Sequence, residues 1–149
     1  MTEVLIDGGE GAIPVHVLDE AAATAFLSNG SPFLTRFAQQ AQFKGKAGQV
    51  LIAPDKDGAP EQVLFGVAAG DRVDAMALRA LPAKLPPGDY RFALLPAHLD
   101  PAQAALAWAL GAYRFDRYKK AGEPAPRLAV PEGVSLAEVR SLAHASALA

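Results

Sequence analysis

The sequence predicts a three-layer α/β/α domain with a mixed, mostly parallel sheet. Three observations carry that expectation. Short β-branched runs alternate with Ala-rich helical stretches along most of the chain, the order that places helices on both faces of a sheet. The strands Gln49 to Ala53 and Gln62 to Val67 are separated by a turn at Asp57-Gly58, which makes them antiparallel neighbours and the sheet mixed. The longest helical stretch, Asp100 to Lys120, is apolar on two sides. Ala102, Leu106, Ala109, Leu110 and Tyr113 form one stripe, and Ala104, Trp108, Gly111 and Phe115 form another. Such a helix needs two partners: a sheet, and either a neighbouring helix or a domain outside this chain.

Taken in order, Val4 to Ile6 and Ile13 to Leu18 are short β-branched runs flanking Asp7-Gly8-Gly9-Glu10-Gly11, which reads as the turn of an opening hairpin. Asp19 to Leu27 is an Ala-rich helix broken at Ser28-Asn29-Gly30. Ser31-Pro32 opens the next helix, running to about Gln42. Gly45 to Gly48 is a turn before the antiparallel strand pair. Asp71 then caps a helix through Ala80, with Asp74 in a capping-box-like position. A proline-rich loop, Pro82 to Gly88, leads to the strand Tyr90 to Leu95. Asp100 as N-cap and Pro101 at the first helical position start the long helix. Lys119 and Lys120 suit its last turn, and Gly122 and Pro124 stop it. Arg127 to Val130 is the last strand. Ser135-x-x-Glu138 is a capping box opening a helix with Leu136, Val139, Leu142 and Ala143 on its apolar face. That helix has no Gly or Asn C-cap, no basic last turn and no breaker. It is the ending expected where a longer protein continues, with a frayed natural terminus as the alternative.

Composition bounds the function. At 149 residues the chain is expected to form one domain that buries about 70% of its unfolded surface. Its 51% hydrophobic and 20% charged residues are those of an ordinary globular protein. A net charge of −2 argues against dedicated nucleic-acid or anionic-membrane binding. No apolar run approaches the roughly 20 residues of a membrane helix, and the first residues lack the charge and apolar core of an export signal. Zero cysteines exclude disulfides, thiol catalysis and cysteine-ligated zinc. A cytoplasmic location is the simplest reading, and the Ala-rich, Lys-poor composition points to a GC-rich bacterial source.

No residue is expected to be catalytic, cofactor-binding or metal-ligating. His16, His98 and His144 stand far apart, without the paired spacing of a metal site. Only His98, at a strand end, is placed where α/β proteins often carry function. Gly45-Lys46 lacks the hydroxyl residue and following helix of a phosphate-binding loop. Gly66-Val67-Ala68-Ala69-Gly70 runs from a strand toward a helix, but Asp71 and Asp74 would occupy the free N–H groups and repel an anion. Ser31 and Ser135 are explained as caps, and neither they nor Thr35 sit in a nucleophile elbow. Arg114, Arg117, Lys119 and Lys120, interleaved with Tyr113, Phe115 and Tyr118, spread around the helix axis instead of forming one basic face. Asp116 is spaced to pair with Lys120, and Arg114 to stack on Tyr118.

The run Leu110-Gly111-Ala112-Tyr113-Arg114-Phe115-Asp116-Arg117-Tyr118-Lys119-Lys120 resembles a signature of the leucyl (cytosol) aminopeptidase family. Phe43 to Gln49, Val63 to Gly66, Ala77 to Pro82, Gly88 to Arg91, and Arg127 to Pro131 followed by the Ser135 helix are similar to its bacterial branch. They occur in the same order along nearly the whole chain. The resemblance implies the family's N-terminal α/β domain, which is macro-domain-like, followed by a larger catalytic domain. In the family that second domain holds two divalent metals, zinc or manganese, through a lysine, aspartates and a glutamate in motifs such as an NTDAEGR-like run. None of those motifs occurs here, so residues 1–149 are expected to be one non-catalytic domain. Residues 135–149 would then start a helix leading to the absent C-terminal catalytic domain.

The parent implied by the resemblance hydrolyses N-terminal amino acids from peptides and is a homo-oligomer, a hexamer. The partner of this segment is then its own catalytic domain, with neither nucleic acid nor membrane involved. The Trp108 and Phe115 stripe and the final helix are candidate docking surfaces, core burial being the alternative for Trp108. The competing function is a stand-alone macro-like module binding ADP-ribose or a related nucleotide. The acidic, capped region after Gly66 speaks against it.

Overall fold

The computed structural model describes residues 4–8, 10–69, 74–116 and 126–148. Its elements in chain order are β1 (Leu5–Ile6), β2 (Ile13–Leu18), α1 (Glu20–Ser28), α2 (Pro32–Gln40), β3 (Val50–Pro54) and β4 (Pro60–Gly66). A 3-10 helix at Ala75–Ala80 follows. Then come α3 (Leu81–Lys84), β5 (Gly88–Leu94), α4 (Pro101–Asp116), β6 (Pro126–Ala129) and α5 (Leu136–Leu148). They gather into two compact units, residues 13–74 with 92–98, and residues 1–12 with 75–91 and 99–149.

In the unit containing residues 13–74, β4 lies between β2 and β3. It is parallel to β2, with Val15 opposite Val63 and Leu18 opposite Gly66. It is antiparallel to β3, with Leu51 opposite Leu64. A strand flanked on both sides has no wet edge, and Val63 to Gly66 are buried without alternation. β3 alternates, burying Leu51 and Ala53, and tolerates Pro54 at its end. Helices α1 and α2 close one core: Ala23, Leu34, Ala38 and Phe43 pack with Leu18, Leu51, Ala53 and Leu64. Local chemistry starts both helices. Asp19 Oδ1 accepts from the Ala22 N–H at 2.7 Å, and Ser31 Oγ from the Leu34 N–H at 3.2 Å. α2 stops at Gln40, two residues before the expected end, and Gln42 adopts a positive φ of 60° beyond it.

In the other unit the strand order is β1-β6-β5 and both pairings are parallel, with Leu128 opposite Leu5 on one side and Tyr90 on the other. Helix α4 packs on β6, on α5, on α3 and on the 75–80 helix. Ala104, Ala105, Ala107, Trp108 and Ala109 have no exposed surface, so the helix is buried nearly all round through its middle. Gly111 permits the closest approach: a Cβ there would overlap the Arg79 carbonyl oxygen. The Trp108 ring lies 5.9 Å from that of Tyr90, tilted by 44°. The buried Tyr90 hydroxyl donates to the Pro86 carbonyl at 2.7 Å, and burial pushes its pKa up to about 12.

Three parallel pairings and one antiparallel pairing within the units give the mixed, mostly parallel α/β class that the alternation predicts. Several local expectations are corrected. β1 and β2 form no hairpin, because each finds a parallel partner remote in sequence. The proline-rich loop contains α3, where Pro82 falls in the first turn and costs no hydrogen bond. Residues 75–80 are a 3-10 helix, and the Asp71 cap lies outside the described residues. Trp108 is core and not a docking surface, since α4 is enclosed by elements of its own unit. Leu142, expected on the buried face of α5, is 56% exposed, while Val139 and Ala143 are buried as expected. Among the described residues no helix is long and apolar enough to cross a membrane.

Candidate functional site

The C-terminal ends of parallel strands are where α/β folds usually bind ligands. Here β2 ends at Leu18 and passes at once into the Asp19 cap of α1, with no glycine loop between them. A cleft of about 290 Å³ opens at this end, walled by Leu18, Ala22, Ala68 and Leu94, with Asp19 and His98 as its ionisable groups. The Asp19 carboxylate already accepts the Ala22 N–H, and its charge opposes an anion at this helix start. Gly66, at the end of β4, serves packing: a Cβ there would overlap the Lys46 carbonyl. The nucleotide-loop chemistry considered for Gly66 to Gly70 thus meets a filled surface at its first residue. Gly70 and Asp71 lie outside the described residues.

The remaining sequence candidates do not converge. His16 is half-buried, its ring 4.6 Å from Phe26. His144 is exposed and meets Tyr113 edge-on at 5.3 Å. His98 is exposed in the cleft. Ser31 and Ser135 are caps, the latter accepting the Glu138 N–H at 3.2 Å. Thr35 donates to the Leu27 carbonyl at 2.9 Å, joining α2 to α1. Arg114 is exposed, while Arg117, Tyr118, Lys119, Lys120, Gly122, Pro124 and the side chains of Phe115 and Asp116 lie outside the described residues. One charge pair, Arg127 with Asp89, is bidentate at 2.7 and 3.0 Å and joins β6 to β5. Both side chains are about two-fifths exposed, so it contributes little stability.

The resemblance implies two divalent metals. Among the described residues no three His, Asp or Glu side chains gather closely enough to hold an ion.

A larger cavity, about 580 Å³, runs between α1 and α2. Glu20 and Thr24 line one side, Ala38 and Gln39 the other, and Lys44 and Lys46 close one end. The sequence reading treats Gly45-Lys46 only as a turn. The turn is correct, since Gly45 has φ of +84°, but the fold also carries both lysines to the mouth of a groove built from residues some twenty positions earlier.

Comparison with known proteins adds the following. The model of one family, described as M17 aminopeptidase, N-terminal domain, matches residues 13–131. No curated protein matches the chain in sequence. Among solved structures, cytosol aminopeptidase from Coxiella burnetii is similar with a TM-score of 0.71 and 22% identity, over 98% of this chain and 31% of that one. The bottromycin maturation enzyme BotP, in complex with Mn, is similar with a TM-score of 0.63 and 22% identity, over 91% and 30%. A mutant of tomato leucine aminopeptidase is similar with a TM-score of 0.59 and 13% identity, over 99% and 36%. At these identities the structural likeness speaks for the fold alone. The chain spans roughly a third of the length of each of these enzymes.

Proposed function

The chain belongs to the M17 aminopeptidase family through its N-terminal domain, and we propose that it is the non-catalytic module of a two-metal exopeptidase. The single observation that carries the reading is the family match over residues 13–131, a match to the family's N-terminal domain. Solved relatives about three times as long, each similar to this chain over most of its length, support the same reading.

In this account residues 1–149 act as one macro-like N-terminal domain, and the helix beginning at Ser135 leads into the catalytic part. The catalytic part would hold the two metals, zinc or manganese, as the manganese in the BotP complex suggests. Those ions would activate a water and polarise the peptide carbonyl beside a free N-terminus. The parent would remove N-terminal amino acids from peptides in a bacterial cytoplasm, assembled as a homo-hexamer. This domain would pack on the catalytic part and shape assembly or substrate access. The half-buried Leu136 and exposed Leu142 of α5 would supply the apolar contact. Sequencing the gene beyond the codon for Ala149 tests the reading. A following lysine- and aspartate-bearing segment with an NTDAEGR-like run is expected, and a stop codon there would remove the aminopeptidase assignment.

A macro-like nucleotide module is the weaker reading. The Asp19 carboxylate takes the Ala22 N–H at the start of α1, and its charge opposes a phosphate there.

A further inference from the structure

The groove between α1 and α2 carries charged residues and an apolar part of its lining. The charged part is built, not floppy. The Gln49 side-chain oxygen accepts from the Lys44 and Lys46 N–H groups at 3.0 and 3.1 Å, and its amide donates to the Gln42 carbonyl at 3.2 Å. Gly45, between the lysines, is seated on α1 so closely that a Cβ would stand 2.6 Å from the Ala23 Cβ and 3.2 Å from the Glu20 Cα. The loop is thereby fixed beside Glu20, and Lys44, Lys46 and Glu20 all line the cavity. Among the described residues neither ammonium group nor the Glu20 carboxylate has an ion-pair partner. Leu27, Ala38 and Phe43 supply apolar surface to the same groove, beside Thr24 and Thr35. Glu20 to Leu27 spans about 10 Å of helix at 1.5 Å per residue.

We propose that this groove binds a free α-amino acid with an apolar side chain. Its carboxylate would meet Lys44 and Lys46, its ammonium Glu20, and its side chain the apolar lining at Leu27. The match is one of charge order. An α-amino acid carries both charges on one carbon, and the groove carries both signs side by side. A polyphosphate would meet Glu20 as a repelling charge, and a simple amine would leave two lysines unanswered. The choice of an amino acid among zwitterions rests on the aminopeptidase reading, because that reaction releases one. The site would then sense product away from the catalytic part.

The test is calorimetry and NMR titration of the 149-residue chain with L-leucine, leucinamide and N-acetyl-leucine. Leucine is expected to bind saturably, with shifts centred on residues 20–28, 35–39 and 43–46. Leucinamide lacks the carboxylate and N-acetyl-leucine the ammonium, and each should bind at least about tenfold more weakly. The Lys44→Gln/Lys46→Gln double variant and, separately, Glu20→Gln should each weaken leucine by a similar factor, with circular dichroism showing an unchanged fold. Absence of saturation, leucine affinity in either variant equal to that of the parent chain, or equal binding of the three probes overturns the proposal. The readout is independent of catalysis. Turnover by a longer chain without leucine binding here would remove the site and leave the family role standing, and the converse result would do the reverse.

Discussion

Replacing Gly111 by Ala sets two effects of known size against each other. In an exposed helix interior, Gly→Ala stabilises by about 1 kcal/mol, because alanine loses less backbone freedom on folding. Gly111 lies in α4, so that gain is available. Against it stands contact with the 75–80 helix: a Cβ at 111 would overlap the Arg79 carbonyl oxygen, and the Arg79 carbonyl carbon and Cα lie 2.8 and 2.9 Å from it. All three obstacles are backbone atoms, so no rotamer change relieves them. Either α4 or the 75–80 helix must move. Overpacking of this kind costs typically 1–3 kcal/mol, and more where backbone must shift. The expected net is destabilisation by about 2 kcal/mol, a fall in Tm of about 4–8 °C for a chain of this size. Urea unfolding of Gly111→Ala beside Gln103→Ala, an exposed position on the same helix, isolates the packing term. Gln103→Ala should lie within about 0.5 kcal/mol of the parent. A Gly111→Ala protein as stable as the parent or more so would refute the close approach on which the packing of α4 rests.

Two further perturbations probe the same unit. Tyr90→Phe removes the hydroxyl that donates to the Pro86 carbonyl and should cost about 1 kcal/mol at neutral pH by chemical unfolding. Because the folded phenol titrates near 12 and a free one near 10, its contribution is complete below pH 10 and lost as pH rises toward 12. Alkaline unfolding should therefore be shallower over that window in Tyr90→Phe, and identical slopes in the two proteins would contradict the burial argument. A double-mutant cycle on Asp89 and Arg127 should return a coupling of about 0.2–1 kcal/mol that weakens with salt. A larger, salt-insensitive value would contradict the exposed setting of the pair.

What could be read from the sequence followed the range of the interactions involved. The caps at Ser31 and Ser135 bond to N–H groups three residues on and are legible where they stand, whereas Asp19, read as part of the helix, proves to be its cap. The antiparallel pair β3–β4 was legible because a short turn joins the strands. Parallel pairing leaves no such local mark. Leu5 finds Leu128 across more than a hundred residues, so the glycine-rich stretch after Ile6 suggested a hairpin that does not form. Pro82 reads as the start of a loop because its helix-starting role depends on where α3 begins. Trp108 carried two readings until α3, α5 and the 75–80 helix closed around α4. The groove was hidden for the same reason: Glu20 and the two lysines become neighbours only when Gly45 seats on Ala23. Of the functional reading, the family was legible from the order of its motifs, and the match over residues 13–131 establishes it.

The central proposal is that catalysis belongs to a part of the protein beyond these residues and that this domain supports it. Hydrolysis of leucine amide with added manganese, measured on the purified 149-residue chain over a range of concentrations, tests it most directly. The account predicts no turnover above the manganese blank at any concentration. Turnover that rises in proportion to the chain, and co-purifies with it, would contradict the account.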